Sequence, residues 1–483
     1  MGTNEFQKKG LTMTEKGLSG LEAIFRPRSV AVIGASDNPG KLGYHVMKSL
    51  TQGGYPGRIF PVNPGKNEIF GLKTLASLSE VPEKVDLSVI VLPAEQVPKT
   101  IKECEAKGVT GIILITAGFR EIEDKRGEAL QKEITELANQ SGIKIIGPNT
   151  FGVVNLHLPL NASFTPEFSW GQKGGISLVS QSGGMSHLMA FLSLRSPLGL
   201  SKIIGLGNRC NVDFGDMVEY LFEDPETGVI ALYLEGIDHP RRLMEAAKAG
   251  RGKKPIVAYK VGRSRTSDSA SQSHTGSLAG RHEIYEGAFR QAGVLTVASS
   301  EELLDSSKAL ALCPLPAGKR VAVLSGQAGP GMAACDICEE GGLFLSPFSA
   351  ATQRRIEELL PPLAIRTNPV DMGPAWYDSE AIKGIVQAVL EDENIDAVLL
   401  CMMFASANKA SVGILSDLLL QRRREKPILS CFSAPGEIWE EEVRRLEQSG
   451  IPNYPTPERT ARSLVSLVKF KRMNERGTTH GNL

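Results

Sequence analysis

Ile176-Ser-Leu-Val-Ser-Gln-Ser-Gly-Gly-Met185 passes from an apolar run directly into a glycine turn, and Val321-Ala-Val-Leu-Ser-Gly-Gln-Ala-Gly-Pro-Gly-Met332 does the same. A short apolar run bounded by a glycine turn and followed by a helical pattern reads as a buried strand feeding a helix. Two further landmarks recur in the same order. Glu223-Asp224-Pro225 ahead of the apolar stretch 229–234 parallels Glu391-Asp392-Glu393 ahead of 397–403. Lys254-Pro255-Ile256-Val257 parallels Lys426-Pro427-Ile428-Leu429. Three matches in one order imply a duplicated domain, with a period far longer than that of solenoid repeats. Each copy reads as a flavodoxin-like α/β domain.

Upstream, strands are expected at 29–34, 58–62, 87–92, 111–116 and 143–146, with helices such as 44–52 and 97–107 between them. This alternation builds a parallel sheet wrapped by helices, a doubly wound, Rossmann-like domain complete by about residue 155. A Pro- and Gly-containing connector, 158–175, leads into the second series, with strands at 176–179, 202–205, 229–234, 256–261 and 295–297. A linker with Pro314 and Pro316 precedes the third. The expected domains are 21–155, 156–312 and 319–473, three α/β units, as a chain of 483 residues leads one to expect.

Composition narrows the class. Lys plus Arg and Asp plus Glu balance at 54 each, so no strong field draws the chain to nucleic acid or a membrane. The first twenty residues are polar and lysine-bearing, and no run approaches the roughly 18 apolar residues of a membrane span. Seven scattered cysteines suit reduced thiols, so a cytoplasmic setting is expected. Cys335 and Cys338 form a CxxC within an expected helix, 332–340, with no second pair or histidine to complete a zinc set, and read as core packing.

The first glycine turn, Gly34-Ala-Ser-Asp-Asn-Pro-Gly-Lys-Leu-Gly43, offers backbone amides and a helix N-terminus to an anion. A nicotinamide-binding domain would place a carboxylate about 20 residues further on to hold a ribose hydroxyl. The chain instead reads Val62-Asn63-Pro64-Gly65-Lys66, and Lys66 suits an extra phosphate such as that on the ribose of coenzyme A. In the duplicated domains, Ser180-Gln181-Ser182-Gly183-Gly184 and Gly329-Pro330-Gly331 are the candidate phosphate turns. Two helix N-termini related by the duplication are suited to one phosphate. His274 lies in the small polar run Ser264 to Gly280; there it is either a solvated loop residue or a nucleophile towards an activated phosphoryl group, and the residues alone leave both open. Glu235, after the apolar stretch 229–234, is the candidate carboxylate for its other ring nitrogen. His187, just inside the helix after Gly184, is placed near a phosphate or acyl pocket, or on the surface.

Taken together, Gly34-Ala-Ser-Asp-Asn-Pro-Gly-Lys, Pro61-Val-Asn-Pro, Thr116-Ala-Gly-Phe, Gly147-Pro-Asn149, Ser180-Gln-Ser-Gly-Gly, Leu232-Tyr-Leu-Glu-Gly-Ile237, Ser273-His-Thr-Gly-Ser-Leu-Ala-Gly280 and Asn368-Pro-Val-Asp371 resemble the α subunits of ADP-forming acetate–CoA ligases. These belong to the nucleoside-diphosphate-forming acyl-CoA synthetases, which include succinyl-CoA synthetase. The resemblance spans 21–471. It implies an N-terminal Rossmann-like CoA-binding domain followed by two flavodoxin-like domains of the succinyl-CoA synthetase type. It implies coenzyme A against Gly34, Ala35, Ser36, Lys41, Asn63, Pro64, Lys66, Pro93, Thr116, Ala117, Gly118 and Asn149. It further implies phosphate at the two later turns, His274 as the phosphorylated histidine and Glu235 as its partner. The implied reaction takes acyl-CoA and phosphate to acyl phosphate, then to phosphohistidine, then to ADP or GDP. No ATP-grasp module is visible, so the nucleotide and Mg2+ are expected on a separate β subunit, in an α2β2 assembly. Two other classes are weighed against this: a non-catalytic CoA-binding sensor or scaffold of the same fold, and an NAD-linked oxidoreductase, which Asn63 disfavours.

Overall fold

The structure is a computed structural model that describes residues 20–122, 124–195, 198–264, 266–267 and 282–478. The chain forms two compact units. The first comprises the described part of Met1–Ser169 together with Gly207–Val212, and the second Trp170–Leu206 with the described part of Asp213–Leu483.

In the first unit, β1 (Ser29–Ile33), β2 (Arg58–Val62), β5 (Leu87–Ile90), β6 (Gly111–Leu114) and β7 (Lys144–Ile146) form a parallel sheet in the order β2-β1-β5-β6-β7. A two-residue hairpin, β3 (Glu68–Ile69) and β4 (Leu72–Lys73), lies off the sheet. Every residue of β1, β5 and β6 is buried. Helices on both faces require strands apolar on both sides, hence the unbroken runs Val-Ala-Val-Ile and Gly-Ile-Ile-Leu in place of an alternating pattern. Asp124 caps the helix Lys125–Ser141 through the Arg126 N–H at 2.9 Å, and Gly142 ends it in the left-handed region at φ 72°.

The expected connector 158–175 holds more structure than its composition announced. β8 (Gly152–Asn155) pairs antiparallel with β9 (Leu160–Ser163), and a 3-10 turn, Pro166–Trp170, follows. The reason is polar. Asn161, buried in β9, donates to the Thr165 carbonyl at 3.0 Å and the Ser169 hydroxyl at 2.9 Å, which stabilises a strand that carries no apolar signature.

The second unit holds two parallel sheets. β10 (Lys173–Ser180), β11 (Leu200–Gly205), β12 (Val229–Leu234), β13 (Ile256–Lys260) and β14 (Leu295–Thr296) run in the order β14-β13-β12-β10-β11. β15 (Arg320–Ser325), β16 (Phe344–Leu345), β18 (Ala397–Met403) and β19 (Ile428–Ser433) follow the order β16-β15-β18-β19, with β17 (Val370–Asp371) against β15 and Asn453 bridging Ser430 at the far edge. Among these strands, the one that comes first in the chain is central in both sheets: β10 lies between β11 and β12, and β15 between β16 and β18. The registers coincide as well: Ser180 stands opposite Tyr233, and Ser325 opposite Cys401. The duplication inferred from the sequence is therefore a duplication of fold. The CxxC cysteines belong to the core of the second copy, where burial pushes the Cys335 thiol up to about 11 and the Cys338 thiol to about 12, leaving them protonated packing groups.

Candidate functional site

An α/β sheet takes its ligand outside the carboxyl ends of the strands, where the strand order reverses. In the first unit that point lies between β1 and β5. Gly34 leaves β1 at φ +93°, where a Cβ would stand 2.4 Å from the Val91 carbonyl oxygen. Gly43 closes on it from the helix Leu42–Gln52, where a Cβ would come within 2.1 Å of the Gly34 carbonyl oxygen. At both glycines the close approach leaves room for backbone only, which draws the two ends of the turn together. Ser36 Oγ accepts the Asn38 N–H at 3.0 Å, and Lys41 precedes the helix in an extended conformation.

The strand ends beside it supply the remaining positions. Asn63 donates to the Ala35 carbonyl at 2.8 Å and accepts the Gly65 N–H at 2.8 Å, tying the Asn63-Pro64-Gly65-Lys66 turn to the glycine turn. Lys66 Nζ lies 2.9 Å from Asp37 Oδ2, and this hydrogen bond holds the Asp37 carboxyl below its ordinary value. Pro93 follows β5 and starts a short 3-10 turn. Thr116 Oγ1 donates to the Leu92 carbonyl at 2.7 Å, and its own carbonyl accepts the Asn149 N–H at 2.8 Å. Past Ala117, the Gly118 N–H donates to Glu121 at 2.5 Å. The residues expected at a coenzyme A site thus all lie at the carboxyl ends of β1, β2, β5, β6 and β7.

In the second unit the reversal lies at β10, between β11 and β12. Ser180 Oγ accepts the Ser182 N–H at 3.2 Å and donates to its carbonyl at 2.9 Å, curling the chain tightly out of β10. Ser182 caps the helix Gly183–Leu194 by accepting the Met185 N–H at 3.4 Å. Gly183 and Gly184 are exposed, and a Cβ at either would meet nothing within 4 Å. Their first-turn N–H groups have no intrahelical partner and open towards an anion. Glu235, half-buried, stands at the end of β12 next to this turn, and its N–H donates to Gln181 Oε1 at 3.0 Å. Beneath it, burial, the Glu235 carboxylate and Tyr259 together push the Tyr233 phenol above its ordinary value. His187 Nδ1 lies 2.7 Å from the Gly183 carbonyl oxygen in the first turn of the helix. His274 lies outside the described residues.

Comparison with known proteins agrees with this geometry. Residues 28–155 match the model of a CoA binding domain, and 173–310 that of a succinyl-CoA ligase like flavodoxin domain. The α subunit of acetate–CoA ligase [ADP-forming] II from Pyrococcus furiosus is 40% identical over 456 residues, covering 93% of this chain and 97% of that one. The chain belongs to the α-subunit family of the ADP-forming acetate–CoA ligases. Acetate–CoA ligase [ADP-forming] I of Archaeoglobus fulgidus is 38% identical, and this α-type chain covers 64% of its length. Acetyl-coenzyme A synthetase 1 of Ca. Korarchaeum cryptofilum, solved with phosphate and ADP, superposes with a TM-score of 0.89 at 31% identity, over 96% of this chain and 100% of that one.

In this member of the ligase family, the third turn departs slightly from expectation. The helix Ala328–Glu340 begins before Gly329, so Pro330 is its third residue. It remains in the first turn, where its missing N–H costs no helical bond. Gly329 is exposed, whereas Gly331 is buried with a Cβ position 3.1 Å from the Ser325 side chain. Two residues of the site, Asp37 and Glu121, escaped sequence reasoning. Asp37 sits inside the first glycine turn, whereas a ribose-binding carboxylate would be expected beyond it. Glu121, which holds Gly118 and also accepts from Asn208 at 2.5 Å, gave no local signal. For Gln181, a candidate phosphate-turn residue, the structure adds that its side-chain oxygen accepts the Glu235 N–H at the end of β12.

Proposed function

We propose that this chain is the α subunit of an NDP-forming acyl-CoA synthetase in which His274 carries the phosphoryl group. The observation that supports this best is the juxtaposition at the β10–β12 switch point: an open helix N-terminus beside the half-buried carboxylate of Glu235, in a family of ADP-forming ligases. We place the CoA-binding domain at 21–155 and the two ligase domains at 156–312 and 319–473.

The residues divide the work as follows. Gly34, Ala35 and Ser36 hold the coenzyme's phosphates through backbone amides, Lys66 exchanges Asp37 for an added phosphate, and Lys41, Asn63, Pro64, Pro93, Thr116, Ala117, Gly118 and Asn149 line the same edge. Inorganic phosphate sits at the Ser182–Gly184 turn, where the helix dipole favours the dianion. Its oxygen attacks the thioester carbonyl, giving acyl phosphate and releasing the coenzyme A thiolate. The neutral imidazole of His274 then attacks phosphorus, and the carboxylate leaves. Glu235 accepts the proton-bearing nitrogen's hydrogen bond and stabilises the imidazolium that forms. Phosphohistidine passes its phosphoryl to ADP or GDP. The turn Gly329, Pro330 and Gly331 offers a second set of first-turn amides, and His187 lies on the acyl side.

An α-subunit family has a partner. We assign the nucleotide and Mg2+ to an ATP-grasp β subunit in an α2β2 assembly. The test incubates the chain and its partner with acetyl-CoA and labelled phosphate. Acid-labile, base-stable label on the chain is expected, and its loss in His274→Ala. Full coupled turnover by that variant would overturn the carrier role, and CoA binding without any phosphoenzyme would favour a sensor.

A further inference from the structure

The side-chain amide of Gln181 is committed at one end only. Its Oε1 accepts the N–H groups of both Glu235 and Gly236 at 3.0 Å, and the residue is 8% exposed. Two backbone donors cannot face an amide nitrogen, so the flip is determined and Nε2 points away from them. No acceptor meets that nitrogen among the described residues. In the second copy, Gln327 reaches Met403, which occupies the register position of Glu235. There Oε1 accepts the Met403 N–H at 3.1 Å, and Nε2 donates to the Met403 carbonyl at 2.8 Å. Both glutamines pin the end of the neighbouring strand. Only Gln181 pins a carboxylate residue, and only Gln181 keeps a donor in reserve.

We propose that Gln181 is a positioning residue of the phosphoryl-transfer site: it fixes the Glu235 carboxylate relative to the Ser182–Gly184 turn and turns its Nε2 towards the phosphate held there. This rests on the reading of Glu235 and His274 given above. The physical need is plain. Beyond Leu234 the β12 ladder ends, and the N–H groups of Glu235 and Gly236 would otherwise require water. Gln181 joins that strand end to the anion turn through its own backbone, because its N–H donates to the Tyr233 carbonyl at 3.2 Å. The turn and the Glu235 backbone that carries the carboxylate are therefore tied together. Losing the clamp lets them shift independently, and a displacement on the order of 1 Å can cost up to about 100-fold in rate. A neutral amide also adds a donor without a fixed charge that would retain the phosphate.

The experiment measures phosphohistidine formation from acetyl-CoA and labelled phosphate by the chain with its partner subunit, in Gln181→Ala, Gln181→Glu, Glu235→Ala and the Ala/Ala double variant. Gln181→Ala is expected to lower kcat roughly 10- to 100-fold. The double variant should be no slower than Glu235→Ala alone, because the clamp acts through that residue. Gln181→Glu keeps an oxygen facing the two N–H groups but opposes the phosphate with charge. It should recover most of kcat while raising the KM for phosphate about tenfold or more. Multiplying effects in the double variant, or failure of a folded Gln181→Glu to recover kcat, would overturn the proposal. If Gln181→Ala does not fold, the kcat-against-KM split of Gln181→Glu decides by itself. Full activity in Glu235→Ala would sink the underlying reading of the site, whereas a slow Glu235→Ala beside a fast Gln181→Ala would sink only the clamp.

Discussion

The two copies in the second unit share a frame and differ in what they hang on it. Each sends a serine at the end of its first strand, Ser180 or Ser325, back onto the residue two places on, and each follows with a helix whose first turn is glycine-rich. Each uses a lysine before its fourth strand to cap a carbonyl in the same place: Lys254 Nζ donates to Asp224 O at 2.5 Å, and Lys426 Nζ to Asp392 O at 2.8 Å. Position by position, however, Glu235 corresponds to Met403, Lys202 to Ser346, and the Gly175–Gly228 pair to Arg320 and Asp396. Backbone geometry survives duplication because it depends on hydrogen bonds that many sequences can make. Side-chain chemistry survives only where the reaction uses it.

The largest effect should come from exchanging the carboxylate that the second copy lacks. Glu235→Gln keeps the shape but not the charge that stabilises an imidazolium, and positioned acid–base groups contribute on the order of 100-fold or more. Phosphoenzyme formation should fall by about that factor. Met403→Leu, a volume-conserving change at the matching position, should leave it within about twofold. Equal losses would mean that the copies do not divide the work in this way.

How far this division was legible in the sequence depends on what each residue does. The strands with unbroken apolar runs, such as Val229–Leu234, announce themselves because both faces are covered, and the duplicated Lys-Pro and Glu-Asp landmarks are contiguous in the chain. β9 was invisible because Leu-Asn-Ala-Ser is held by side-chain hydrogen bonds of Asn161 and not by apolar alternation. The glycine turns and Glu235 were legible as candidates for chemistry. The direction in which the Gln181 side-chain oxygen points was not, since nothing in the sequence places it against the backbone at the end of β12.

A stability contrast of intermediate size sits at Lys202. Its ammonium is fully buried between Asp224 at 2.6 Å and Glu226 at 3.1 Å. In the other copy the matching position is Ser346, and Asp392 is satisfied instead by the N–H groups of Ser349 and Asn394, both at 2.9 Å. Lys202→Met strands a buried carboxylate and should cost roughly 3–5 kcal/mol. Ser346→Ala removes only a weak bond to the Pro347 carbonyl at 3.3 Å and should cost about 1 kcal/mol or less. Urea midpoints of the two variants measure the difference, and a Lys202→Met protein as stable as the parent would show that the second copy's arrangement is the better one.

The smallest contrast is acid-sensitive and runs the other way. Burial pushes the Asp396 carboxyl up, but the Arg320 side chain and N–H, with Lys426 nearby, outweigh it and hold the group below its ordinary value. Arg320 meets it through Nη2 at 2.8 Å and Nε at 3.0 Å, whereas the first copy has Gly228 and Gly175 here, joined by a single backbone bond of 2.7 Å. A carboxylate whose folded pKa is depressed contributes stability above its unfolded value of about 3.9, and loses it as pH falls through the folded value. Because the Arg320 side chain is 43% exposed, solvent screens the pair and its contribution at pH 7 is small. Asp396→Asn should therefore lower the thermal midpoint slightly at pH 7, with the gap from the parent closing as the buffer is taken down past the unfolded carboxyl value of about 3.9. A gap that stays constant across that range would assign the loss to packing around the substituted amide and remove charge from the account of why this copy exchanged two glycines for an ion pair.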